Sequence, residues 1–236
     1  MTLIQESEKT NNVAIAPNKC EFCKKTFKRA SSIDKHSCSK KVRFESRSEF
    51  GVELGFNSFN HFYTSNNSKP KSFRQFIDSP YYTSFVRFGQ FCRRANMFNL
   101  EDYVAHLLRN NVPLNKWTDE SIYDIYLIAL LQSEPPLNAI YRTLEFSISW
   151  GEAEGANPFD LIRYGNIDYI KYNIMKGFIA PWVLYLSNSG KSFLSKLKED
   201  DLKVIWKYMN PDIWHNIIDS YNDRDYVSAL LKEAGW

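Results

Sequence analysis

The sequence predicts a mainly α protein in two parts: a small module bearing cysteines and a histidine near the amino terminus, then a larger all-α multi-helix domain. Three observations lead there. Three of the four cysteines and one of the four histidines crowd into CEFCKKTFKRASSIDKHSC, Cys20 to Cys38. From Ser72 onward apolar residues recur at helical spacing, punctuated by Gly and Pro. No alternating stretch is long enough to read as a half-buried strand, and no repeat recurs at a fixed period.

Taking the chain in order, residues 1–18 are polar up to a short VAIAP and read as a disordered or extended tail. They contain no apolar core of a signal peptide.

Residues 19–43 form the small module. Cys20 and Cys23 stand two residues apart, His36 follows after twelve more, and Cys38 closes the set. Two thiolates of a Cys-x-x-Cys turn can face one ion, and twelve residues suffice for a returning strand and a short helix carrying an imidazole. Such donors suit closed, tetrahedral zinc. Phe27, four after Cys23, and Ile33, three before His36, stand where a finger of the Cys2His2 type, which this segment resembles, keeps its miniature core.

Over residues 20–36 this pattern resembles the Cys2His2 zinc finger family, which implies a ββα-like fold. The chain departs from it at the fourth ligand, where Cys38 follows His36 after a single residue. Residues two apart on a helix point about 200° apart, so the helix is expected to stop near His36 and leave Ser37 and Cys38 in a turn. Cys38 is the first candidate for the fourth ligand, and His61 is the alternative.

The resemblance also places Arg29, Ser32 and Lys35 at the helix positions that face base edges. An arginine fork matches the O6 and N7 acceptors of guanine, and Lys24, Lys25, Lys28, Lys40, Lys41 and Arg43 suit phosphates. Residues 19–47 carry ten Lys or Arg against three acids, a local net charge of +7 in a chain whose total is only +3. Concentrated basic charge on a zinc module is the footprint of nucleic-acid binding, double-stranded DNA first. One finger covers only about 3 base pairs, so further contacts or a protein partner in a replication or transcription complex are expected.

Residues 44–72 mix Gly, Asn and Ser with Phe44, Phe50, Phe56, Phe59, Phe62 and Tyr63. They read as an aromatic-rich connector that docks its rings on the next domain, since so many apolar groups do not suit a solvated tether.

Residues 73–236 make the all-α domain. Ser79-Pro80 opens a helix through Tyr81, Phe85, Phe88 and Cys92, and Asn99 opens one through Tyr103 and Leu107. Thr118, followed by Asp119 and Glu120, opens a third. Pro135-Pro136 starts the next, which Gly151 and Gly155 end. Shorter helices are expected over 158–164, 166–176, 180–186, 190–197 and 199–209. One more starts at Pro211, and the last runs from Asp223 to Gly235. Within this domain Arg87, Arg93 and Arg94 interleave with aromatics; they read as the wet face of a helix that can extend a phosphate-contacting surface.

Other chemistry is thin. Gly190-Lys191-Ser192 ends like a phosphate-binding loop, but Tyr185 stands where the first glycine belongs. His61, His106 and His215 have no triad partners at a telling spacing. Cys92 sits at the apolar spacing of its helix and reads as packing. Glu152 with Glu154, and Asp200 with Asp201, are the pairs that a magnesium-dependent nuclease would use; capping is the plainer reading.

The chain shows no disulfide framework, which suits a reducing compartment. Its longest late apolar run, 178–186, is nine residues and contains Pro181, far short of the roughly 20 a membrane helix needs. A cytoplasmic protein without a membrane partner is expected. The order CxxC-(12)-HxC, KKVRF, SPYYTSFVRFGQFCR, PWVLYLSNSG and NPDIW resembles, over nearly the full length, a family of uncharacterised proteins from large contractile-tailed bacteriophages. That resemblance implies a viral protein made in the host cytoplasm and carries over no catalytic residue. The function expected is therefore zinc-dependent, non-catalytic nucleic-acid binding in phage replication, transcription or genome handling. The alternative is a protein adaptor that uses the finger to bind a protein, and a metal-dependent nuclease is the third reading.

Overall fold

The computed structural model describes residues 18–236, so the tail expected over 1–18 lies, but for Asn18, outside the described residues. Those residues are mainly α, with fifteen α-helices and no extended strand. They divide into two compact units with the boundary after Gly89.

The first unit begins with a tight reversal. Phe27 N–H donates to Asn18 O, Cys20 N–H to Lys25 O and Lys24 N–H to Cys20 O, all within 2.9 Å. The ββ half of the expected finger is thus one antiparallel bridge, Lys19 with Thr26. The helical half is a short α1, Ala30–Asp34. After Ser37, α2 (Ser39–Glu45) begins with Cys38 as its N-cap residue.

Residues 44–72 are largely helical. A 3-10 turn over Ser46–Ser48 leads into α3, Phe50–Ser65. A close helix crossing requires its glycines. A Cβ on Gly89 would lie 2.1 Å from Gly51 O and 2.6 Å from Gly55 N, and one on Gly55 would lie 2.7 Å from Phe85 O. The backbones of α3 and of α5 (Tyr82–Ala95) therefore touch. The short α4 (Phe73–Asp78) starts with a capping box, in which Ser72 and Gln75 satisfy each other's backbone N–H.

Aromatic rings fill the space between these helices. Phe44 meets Phe73, Phe73 and Phe56 meet Phe76, and Phe76 meets Phe59 and Tyr82, with centroids 4.8–6.0 Å apart. Rings at these spacings favour tilted and edge-on contacts, adding about 0.5–1.5 kcal/mol per pair beyond burial.

The second unit contains α6 (Leu100–Arg109), α7 (Glu120–Ser133), α8 (Pro136–Glu154), α9 (Asp160–Tyr164) and α10 (Ile167–Met175). It continues through α11 (Pro181–Leu186), α12 (Asn188–Lys196), α13 (Glu199–Met209), α14 (Pro211–Ser220) and α15 (Arg224–Glu233). Punctuation written in the sequence sets most boundaries. Pro136 and Pro211 stand in the first turns of α8 and α14, and Gly155 takes the left-handed cap of α8 at φ 63°. The α7 cap falls on Asp119, one residue past Thr118, because its carboxylate accepts from Ser121 N–H at 3.0 Å.

The core of this unit is aliphatic and tryptophan-rich. Leu107, Leu127, Leu131, Leu161, Ile170, Ile174, Val183 and Leu231 are buried with Trp117, Trp182, Trp214 and Trp236. Some of its buried polar groups are paired: Arg142 clamps Glu134 with both terminal guanidinium nitrogens and donates through Nε to Gly177 O at 2.7 Å. Thr143 Oγ1 accepts from Ala180 N–H at 3.0 Å. No helix among the described residues is long and apolar enough to cross a membrane.

Candidate metal centre

The sulfurs of Cys20, Cys23 and Cys38 and a ring nitrogen of His36 all lie within 4.8 Å of one another. Cys23 Sγ and His36 Nε2 are 3.2 Å apart. A tetrahedral zinc with bonds of about 2.3 Å to sulfur and 2.0 Å to nitrogen needs ligand separations of roughly 3.5–3.8 Å. Small side-chain adjustments bring these donors to that shell, so the group fits a metal ion.

Each ligand is placed by local structure. Cys20 and Cys23 flank the reversal, with Lys24 in the left-handed region at φ 63°, so that both thiols turn to one side. The helix that delivers His36 ends at Asp34, with Lys35 as its C-cap. Ser37 and Cys38 follow as non-helical residues. Early termination solves the two-residue spacing problem: His36 and Cys38 need not share a helix. Cys38 in turn starts α2, its carbonyl accepting from Val42 N–H at 3.0 Å. His61, the alternative fourth ligand, lies on α3 and is not among the four converging donors.

The thiol chemistry suits a cation. Burial pushes the Cys20 thiol up, but N–H groups of Cys23 and Phe22, with the Cys23 and Cys38 thiols, outweigh it and hold Cys20 below its ordinary value. At Cys23 the Lys25 N–H favours the thiolate, yet burial and the crowding of the Cys20 and Cys38 sulfurs together raise it. The crowding that disfavours a thiolate at Cys23 is relieved by a shared divalent ion.

The finger rests on the helices beside it. Phe22, between the paired cysteines, is buried and meets Phe44 at 5.2 Å between centroids. The Arg74 guanidinium lies 4.7 Å over the Phe22 ring and donates to Glu21 O. Sequence reasoning assigned the finger's core to Phe27 and Ile33; both are half-buried, and Phe27 lies against His36 at 4.7 Å. Phe22 escaped notice because no spacing rule marks it, although an aromatic between paired cysteines is a visible signal.

The basic residues of the first unit separate into two sets. Lys24, Lys25, Lys28, Arg29 and Lys35 are exposed, as is Ser32. Arg29 is the N-cap residue of α1 and Lys35 its C-cap, so the proposed base-facing residues bracket a helix of five residues. Lys40 pairs with Asp78 at 2.7 Å and Lys41 approaches Glu45 at 3.9 Å. Arg43 donates to Ile77 O at 2.8 Å and lies 4.4 Å over the Tyr82 ring.

Of the three arginines on α5, Arg87 is exposed in the first unit, and Arg93 and Arg94 are exposed in the second. Arg94 lies 3.6 Å from Glu120 and covers the Phe91 ring.

The remaining candidates resolve into structural roles. A Cβ on Gly190 would lie 2.4 Å from Leu184 Cα, so that glycine permits α11 and α12 to pack. Cys92 is buried, and burial pushes its thiol up to about 12, as its place on an apolar face leads one to expect. Asp201 pairs with Lys171 at 2.6 Å and Asp200 lies 3.3 Å from Lys203. Glu152 and Glu154 are exposed at the end of α8. The His106 ring lies against Tyr126, and the His215 ring against Tyr185.

Comparison with family models, curated proteins and solved structures finds no match for the chain.

Proposed function

We propose that the protein binds nucleic acid, double-stranded DNA first, through a zinc-stabilised amino-terminal finger, and that it does so without catalysis. The observation that carries this reading is the joining of the Cys20, Cys23, His36 and Cys38 cluster to the exposed Lys24, Lys25, Lys28, Arg29 and Lys35. Zinc would supply structural cross-links between the reversal and the start of α2. The chain's own residues would do the rest: Lys24, Lys25 and Lys28 meet phosphates, and Arg29, Ser32 and Lys35 read or grip the duplex, the two cations through its phosphates as well. The resemblance to proteins of contractile-tailed bacteriophages supports a place in replication, transcription or genome handling in a host cytoplasm, alongside a protein partner.

A second reading, a protein adaptor, draws on exposed apolar groups in the first unit, Val42, Phe50 and Tyr81. Gel-shift titration of the zinc-loaded protein against duplex DNA, single-stranded DNA and RNA separates the two. Duplex retention that falls steeply with salt, and is lost in Arg29→Ala/Lys35→Ala, is expected. Equal shifts by parent and variant would remove the finger from the role, and no shift with any nucleic acid would favour the adaptor.

A further inference from the structure

We infer that, of the eight basic residues from Lys24 to Arg43, the phosphate grip falls to five cations of the finger, Lys24, Lys25, Lys28, Arg29 and Lys35, and that Lys40 and Arg43 are braces holding the finger's base. This rests on the nucleic-acid reading above and deepens it, because the two sets are indistinguishable by charge in the sequence. None of the five forms an ion pair among the described residues, and all are exposed. Lys25 alone lies against a ring, that of Phe27 at 5.6 Å.

The α2 cations are spent differently. Lys40 Nζ sits 2.7 Å from Asp78 Oδ1 at the end of α4. The Arg43 guanidinium is fixed twice, by the Ile77 carbonyl at 2.8 Å and by the face of Tyr82, a ring that is itself buried. Turning it toward a phosphate would unsatisfy that carbonyl and uncover the ring, at a cost one solvent-exposed phosphate contact does not offset. Lys41, 3.9 Å from Glu45, is the loosest of the three and counts with neither set.

The partner that fits is a closely charged polyanion met over a short footprint, a duplex backbone gripped at about five phosphates. Counterion release makes this countable: the slope of log K against log salt is about −0.9 per phosphate on duplex DNA. Five contacts give roughly −4.5, whereas all eight basic residues from Lys24 to Arg43 would give roughly −7.

The test measures duplex affinity of the zinc-loaded full chain across a salt series for the parent, Lys28→Gln, Lys40→Gln and Arg43→Gln. Thermal unfolding and amide exchange of each are measured alongside. The expected result is a parent slope near −4.5 and a Lys28→Gln slope shallower by about 0.9 with an unchanged melting temperature. Lys40→Gln should keep the parent slope and loosen the amides of α2, and Arg43→Gln should do so more strongly. A parent slope of about −7, or a Lys40→Gln slope shifted as far as that of Lys28→Gln with the fold intact, would overturn the assignment. A parent that retains no duplex at low salt would overturn the underlying reading and the assignment with it.

Discussion

The two units solve the burial problem by different means. The second carries all six tryptophans of the chain and an aliphatic core, with caps and turns that close its helices locally. The first carries no tryptophan and relies on phenylalanine rings, on glycines that let α3 and α5 touch, and on four convergent metal donors. The finger segment by itself buries too little apolar surface to be secure, and in segments that short a metal commonly makes up the difference. The contrast sets a unit with four donors that could hold an ion beside one whose core is aliphatic and tryptophan-rich.

Metal removal breaks that contrast most severely. Structural zinc contributes on the order of 10 kcal/mol in small finger domains. Chelation, or Cys38→Ala, is therefore expected to abolish amide protection in α1 and α2 while tryptophan fluorescence, which reports only the second unit, stays constant. Protected α2 amides in the chelated protein would show that the aromatic core holds the unit without the ion.

Within the second unit the largest effect is expected at Arg142. Both it and Glu134 are largely buried, so Arg142→Ala leaves a carboxylate without its partner and costs about 3–5 kcal/mol by denaturant unfolding. In the first unit Gly89→Ala should cost about 3 kcal/mol or more, because the methyl group would meet backbone that has nowhere to go. A melting temperature equal to the parent's would mean that the α3 and α5 backbones can part enough to admit the methyl group.

The smallest effect is electrostatic. The Lys171 ammonium beside Asp201 holds its carboxyl below the usual carboxylate range. A carboxyl depressed on folding stabilises above its unfolded pKa, about 3.9, and that stability is lost as pH falls through the lowered value. Asp201→Asn is expected to unfold at lower denaturant at pH 7 and to show a flatter stability profile as pH falls below about 4. A profile that overlays the parent's would assign the acid sensitivity to other groups.

The four candidate metal donors and most helices of residues 73–236 were legible because each rests on short-range chemistry. Cysteine spacing limits where thiols can point, and Pro136, Pro211 and Gly155 mark helix ends whatever lies around them. Helix α3 was not read, although Val52, Phe56, Phe59 and Tyr63 recur every three to four residues. Its glycines and asparagines weaken local propensity, and only the touch of Gly51 and Gly55 on Gly89 shows why they are there. The reversal at the paired cysteines closes with one bridge, Lys19 with Thr26, and Phe22 and Arg74 tie it to the helices beside it.

By itself the sequence determined which four side chains can gather around an ion and where most helices of the second unit begin and end, since local geometry and capping chemistry decide both. The tertiary structure alone decided which cations find a partner among the described residues and which form no ion pair. Lys35 and Lys40 carry the same charge five residues apart, and what separates them is Asp78, a residue distant in the chain that folding brings within 2.7 Å of one and not the other.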